Sequence, residues 1–205
     1  MKILVVTSMP IELKTVKEWI KSVRLKTNLD VDYLCCGIWN YEAISSLERY
    51  LSKNPESIFI WNIWVCAYWN TKNEKKSEIF QVSSVINIHT EKEMIIPPFL
   101  QVAPLKTCLC SENVIKEKPE FRKNFSSTSN EMYFDMESWW IEFIASKYKY
   151  PCLILKVPFD FIWDEILSFI DKNFKENVSR ICELLWNLSY NDYLGKILNW
   201  IQING

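Results

Sequence analysis

Three carboxylates in this sequence fall where a parallel sheet would gather them: Glu12, Glu137 and Asp160. Glu12 follows an apolar run, residues 2–7, that reads as a buried first strand. Glu137 opens a helical stretch, and Asp160 closes the apolar run that comes after it. In an α/β sheet, strand ends of this kind border the ligand crevice. Three acids suit the cleavage of a glycosidic bond. One protonates the leaving group, a second activates water, and a third holds sugar hydroxyls and favours an oxocarbenium-like transition state. Plainer roles also fit each residue type: a carboxylate near a helix start is favoured by the dipole, and Asp160 can cap a following helix. The chain holds 25 acidic residues, so type alone does not single these out.

The elements that must carry the acids follow from periodicity. Pro10 sits at the first turn of a helix whose stripe is Ile11, Leu13, Val16, Trp19 and Ile20. Residues 31–36 read as a second strand turning at Gly37, residues 41–51 as a helix, and residues 57–65 as a third, central strand with a buried Asn62. Residues 70–76 read as a surface loop, 78–88 as one or two strands, 105–109 as a short strand, and 112–130 as a charged loop able to act as a lid. From residue 134 a helix is expected, with a stripe of Met136, Trp139, Trp140, Phe143 and Ile144. It stops at Tyr150-Pro151, because the residue before proline is pushed out of the α region. A buried strand follows over residues 152–157, then helical periodicity over 164–188 and 193–203. Strands alternating with helices imply a parallel sheet. The extra strands in the middle make it mixed and larger than six strands, within a single domain and a three-layer α/β/α sandwich.

Composition removes several classes. The 205 residues are 49% hydrophobic, enough for a substantial core, and net charge is -1 without a basic stripe, which argues against nucleic acid as partner. Gly37 is the sole glycine of the first 190 residues, so neither a P-loop nor a glycine-rich dinucleotide loop is possible. The seven cysteines lack a C-x-x-C pair and read as buried free thiols. The single histidine, His89, has no metal-ligand spacing around it. No metal and no cofactor are expected. The apolar start is too short for a signal peptide, and no run of about 18 uncharged apolar residues occurs, so the expected location is the cytoplasm, with no membrane contact.

Several local sequences resemble one family. Residues 1–12, ending Met9-Pro10-Ile11-Glu12, are similar to the opening strand and acidic helix start of the nucleoside phosphorylase and nucleosidase superfamily. Within it the resemblance is to the methylthioadenosine/S-adenosylhomocysteine nucleosidases and their futalosine-hydrolase relatives. Asp135-Met136-Glu137-Ser138 resembles the Glu-Met-Glu-(Ala/Gly) signature. Tyr150-Pro151 with Leu155-Lys156-Val157-Pro158-Phe159-Asp160 resembles the (Val/Ile)-Pro-strand-Arg-x-Ile-Ser-Asp segment. The resemblance spans nearly the whole chain. It implies a nucleoside-phosphorylase-like fold, with Glu12 activating water, Met136 packing on the ribose, Glu137 accepting the ribose hydroxyls, and Asp160 protonating purine N7. Phe134, Asp135, Val65 and Phe159 complete the expected substrate-binding set.

The departures are specific. The family's Asn-Thr-Gly-(Ser/Thr)-Ala-Gly turn is replaced here by residues 62–68, with Trp64 and Ala67 for glycines and Val65 for the hydroxyl residue. Phe159 stands where the family has a serine before its catalytic aspartate. No arginine matches the phosphate ligands of the phosphorylases. The expectation is therefore a hydrolase acting on the N-glycosidic bond of a purine nucleoside or adenosine derivative, working as a homodimer. The alternative is a nucleoside-binding relative without catalysis, its site partly filled by Trp64 and Phe159.

Overall fold

A computed structural model describes residues 2–24, 30–37, 40–56, 58–70, 78–97, 101–113 and 131–161, with the side chains of residues 19, 22–24, 40, 70 and 159–161 excepted. The helices expected over 164–188 and 193–203, the loop at 71–76 and most of the lid at 112–130 lie outside the described residues.

Strand β1 (Lys2–Thr7) leads into helix α1 (Pro10–Arg24), β2 (Val31–Cys35) into α2 (Asn40–Lys53), and β3 (Ile58–Asn70) then runs for 13 residues. Four shorter strands follow: β4 (Phe80–Asn87), β5 (Lys92–Ile95), β6 (Leu105–Cys110) and β7 (Glu131–Asp135). Helix α3 (Ser138–Tyr148) and strand β8 (Cys152–Phe161) end the described part. The eight strands form one mixed sheet, and five of its eight pairings are parallel.

The sheet is flanked on two faces. Val16 and Ile20 of α1 pack with Ile3, Val5, Phe59, Trp61 and Ile63, the odd-numbered residues of β1 and β3. Ala43, Leu47 and Leu51 of α2 and Ile141, Ile144 and Ala145 of α3 pack with Leu4, Val6, Ile58 and Ile60, the even-numbered set. Alternation with period 2 assigns the two faces of each strand to different helices, as a doubly covered sheet requires.

The second half of the sheet departs from an open sandwich. β3 pairs β7, β7 pairs β6, β6 pairs β4, β4 pairs β8, and β8 pairs β3 again. These five strands close a barrel. All five contribute to one cluster, through Cys66 and Tyr68, Phe80, Val82 and Val85, Cys108, Tyr133, and Ile154. Closure depends on the length of β3 and on a register shift between Cys66 and Ala67 against β8. An irregularity of this kind bends a strand and raises its twist. The sequence predicts β3 to end at residue 65 and gives no strand at 131–135, so the barrel is a finding of the structure.

The helix of the key segment also starts later than its apolar stripe suggests. Phe134 and Asp135 belong to β7, Met136 and Glu137 form the turn, and α3 begins at Ser138. The buried face is Ser138, Ile141, Glu142, Ile144 and Ala145, while Phe143, expected to be buried, is 47% exposed. With apolar residues on nearly every side of this helix, periodicity cannot decide which side meets the sheet. Lys149 ends α3 in the left-handed conformation at φ 60°, its N–H bonded to Ser146 O at 3.1 Å, just ahead of Pro151.

The barrel cluster should be the most sensitive part of the fold. Phe80 is 1% exposed and its ring lies 4.4 Å from that of Tyr133. Phe80→Ala is expected to lower unfolding free energy by about 3–5 kcal/mol, read as a reduced urea midpoint at unchanged slope.

Candidate active site

The register of β3 defines a gap. On one side β3 pairs β1 only as far as Asn62, and on that same side it pairs β7 only from Ala67 onward. Among the described residues, Ile63–Cys66 therefore have no strand partner there. The β1–α1 turn and the β7–α3 turn both end at this break, which resembles the switch-point crevice of open α/β sheets.

The β1–α1 turn holds two carboxylates. Met9 N–H donates to Glu12 Oε2 at 3.1 Å, and the Ser8 hydroxyl donates to Glu137. The turn is itself tied to the end of β2: Cys36 N–H donates to Thr7 O at 2.7 Å, and Cys35 Sγ to Ser8 O at 3.3 Å. Asn62, 1% exposed, donates from Nδ2 to Val6 O at 3.1 Å and so ties β3 to β1 just before the gap.

Glu12 is 7% exposed, and its Oε1 has no hydrogen-bond partner among the described residues. A pocket lies beside it, lined by Thr15, Val16, Ile63, Trp64, Val65 and Val157. Among the described lining residues, Glu12 is the one charged group. Burial, with the Glu137 charge adding to it, holds the Glu12 carboxyl well above the usual carboxylate range. Glu137 is 3% exposed and is the N-cap of α3, its carbonyl accepting from Trp140 and Ile141 N–H at 3.0 Å each. Its side-chain Oε2 accepts from Met136 N–H at 3.3 Å. Burial first, then the Asp135 carboxylate, push Glu137 up to about 8, against the opposing pull of Lys156, Met136 N–H and Ser8.

Asp135 faces the protein and not the pocket. Its oxygens accept from Ser138 N–H at 3.2 and 3.3 Å and from the Ser138 hydroxyl, and Oδ2 lies 2.6 Å from Lys156 Nζ. Phe134, 2% exposed, packs with Ile86 and Leu109 away from Glu12. Neither lines the described pocket beside Glu12. Met136 is half-buried in the turn. Val65 lines the pocket, as does Trp64, which is 7% exposed. Asp160 lies inside β8 instead of after the strand. Its backbone is opposite Ala67, directly past the register shift, and its side chain and that of Phe159 are outside the description.

Sequence reasoning gave no role to Ser8 beyond a helix cap, and none to Lys156. A lysine inside an otherwise apolar strand, residues 152–157, was the available signal, because a buried ammonium needs a partner. Among the described residues no group of three or more His, Cys, Asp or Glu side chains could hold a metal ion. His89 lies on an exposed turn, 3.7 Å from Glu112. Five of the thiols, Cys36, Cys66, Cys108, Cys110 and Cys152, are buried and free, as expected.

The mixed α/β fold is shared with solved nucleosidases. The MTAN of Chlamydia trachomatis, solved with adenine, matches over 95% of this chain and 98% of its own at 20% identity, with a TM-score of 0.64. The MTA/SAH nucleosidase of Streptococcus pneumoniae, in complex with 8-aminoadenine, matches over 96% and 100% at 14% identity, TM-score 0.69. A putative 5'-methylthioadenosine/S-adenosylhomocysteine nucleosidase of Borrelia burgdorferi, bound to adenine, matches over 91% and 98% at 15% identity, TM-score 0.66. The chain thus has the fold of the 5'-methylthioadenosine/S-adenosylhomocysteine nucleosidases. The sequence matches no protein-family model and no curated protein.

The charge state of Glu137 is open to measurement. Folding raises its pKa from 4.5 to about 8, so the folded protein holds this proton more tightly than the unfolded chain does. Its contribution to stability is full below pH 4.5 and is lost as pH rises through about 8. The melting temperature should therefore fall across that interval. In Glu137→Gln, which keeps the shape without the charge, the slope should be visibly flatter.

Proposed function

We propose that this protein hydrolyses the N-glycosidic bond of a purine nucleoside or adenosine derivative. The observation that carries this reading is Glu12: a buried carboxylate with one oxygen anchored by Met9 N–H and the other without a partner at a pocket wall. A carboxylate placed so can take the proton of a water attacking the sugar carbon. Glu137, across the same turn, is the ribose-hydroxyl partner, and Met136 packs on the sugar beside it. Asp160 protonates or hydrogen-bonds purine N7, which makes the base a better leaving group. Asp135 acts from behind the turn through Ser138 and Lys156. Val65 and Phe159 border the ligand, and Phe134 supports the strand that leads to the turn. Support comes from the nucleosidase fold and from neighbours solved with adenine or adenine analogues. The reading includes a single layered α/β/α domain that needs no cofactor and acts as a cytoplasmic homodimer on a small nucleoside. No helix among the described residues is long and apolar enough to cross a membrane.

One observation favours a second reading. Trp64 forms part of the wall that Glu12 shares, where the family motif has a glycine. A protein with this wall could bind a nucleoside without cleaving it.

Incubation with a panel of purine nucleosides, 5'-methylthioadenosine included, with and without phosphate, separates the readings. Free base is expected without phosphate, and Asp160→Asn or Glu12→Gln should each reduce its release about 100- to 10,000-fold. Binding without release from any nucleoside would establish the second reading, and release only with phosphate would mean phosphorolysis.

A further inference from the structure

Lys156 is fully buried, and it is the one buried cation among the described residues. It stands in the middle of β8, opposite Trp64 of β3 on one side and Phe80 of β4 on the other, so its backbone is fixed by two strands. Its ammonium crosses to β7 and meets Asp135 at 2.6 Å, the two side chains being 0% and 1% exposed. Asp135 in turn accepts from the N–H and hydroxyl of Ser138, three residues on. The turn between them consists of Met136 and Glu137. A single ion pair therefore fastens both ends of the turn that presents the proposed ribose-binding groups.

The same ammonium has more acidic groups around it than it can pair with. Asp135, Glu137 and Glu12 all lie within its field, as do the thiols of Cys36, Cys108, Cys110 and Cys152. Three buried carboxylates share one buried cation, and no more than one can be fully neutralised by it. We propose that Lys156 is a positioning residue of the site: through its ion pair with Asp135 it holds the Met136–Glu137 turn, as the one buried positive charge among the described residues. Burial on its own pulls the Lys156 pKa down. The Asp135 and Glu137 carboxylates outweigh that penalty and keep it charged. Removal of the ammonium would leave Asp135 buried without a counter-ion and the two glutamates without their one attractive charge.

The catalytic consequence rests on the nucleosidase reading, but the electrostatic content does not, so two readouts keep them apart. The first is carboxyl NMR of the full chain labelled with 13C-glutamate, the Glu137 signal being assigned by its loss in Glu137→Gln. In Lys156→Met the Glu137 midpoint should rise by about one pH unit or more, while Lys156→Arg should keep it near the wild-type value. If Lys156→Met does not fold, Asp135→Asn gives the complementary test. It removes the repelling charge and frees Lys156, so the Glu137 midpoint should fall by about one unit or more. A Glu137 midpoint unmoved in the folded variant overturns the proposal. The second readout is the pH profile of base release. The acidic limb of kcat/KM should move upward in Lys156→Met, about tenfold in rate per unit of displacement below the limb, with recovery in Lys156→Arg. A uniform loss at every pH, with the limb in place, would mean a structural role only. Absence of base release from the wild-type protein would remove the nucleosidase reading and leave the NMR result to decide the role of Lys156.

Discussion

A buried ion pair between β8 and β7, the two strands that flank β3, joins Lys156 to Asp135 and underlies the rest of the site. Such a pair is not a strong source of stability, since two ions must leave water to make it. Its importance lies in what breaking it would do. Either partner alone would be an uncompensated charge in the interior, which costs about 3–5 kcal/mol. The pair therefore acts as a fastener: β8 and β7 cannot shift relative to each other without separating opposite charges. Because Asp135 also takes the Ser138 N–H and hydroxyl, the constraint passes from the barrel into the first turn of α3. Glu137 inherits its position from that turn.

The constraint is worth having because β3 must serve two neighbours. Its first half belongs to the parallel sheet with β1, its last residues to an antiparallel pair with β7, and four residues between them lack a partner on that side. A break of this kind leaves room for side chains from the elements that follow β1 and β7: Glu12, in the first turn of α1, and Glu137, in the turn before α3. On the opposite edge β3 remains joined to β8 throughout, with one register shift. The gap is thus open to ligands on one side and rigid on the other. A site built on strands and on anchored turns holds its groups more narrowly than one built on free loops.

How much of this was legible depended on the kind of signal each residue carries. The first two strands and helices were readable because each buries one clear stripe, as in Ala43, Leu47 and Leu51. Glu12 and Glu137 could be singled out because motif and strand end coincided. Strand β7 was missed because Glu131-Met132-Tyr133 follows a long polar stretch, and five residues are too few for a period to stand out. The barrel could not be read at all, since its closing pairs, Phe80 with Lys156 and Gln81 with Leu155, are far apart in sequence. Asp135 was assigned to the ligand from its motif neighbours. Its ion pair with Lys156, 21 residues later, was not legible, because a sequence pattern carries no signal for a contact between different strands.

The charge inventory also bears on which nucleophile the pocket could admit. A phosphate dianion needs compensating donors, ordinarily arginines or a cluster of free backbone N–H groups. Here the nearest described cation is already committed to Asp135, and Glu12 lines the pocket wall. The stretch that is glycine-rich in the family motif is a strand in this chain, bonded along one edge to β8, with Trp64 and Val65 projecting bulk where bare backbone could have met an anion. An anion entering would meet no free cation among the described residues. Water needs none, because it is neutral, small enough for a pocket narrowed by Trp64, and able to donate to the one oxygen of Glu12 that lacks a hydrogen bond. The loss of glycines, which at first suggests a failed site, fits the proposed reaction, in which water and not phosphate is the nucleophile.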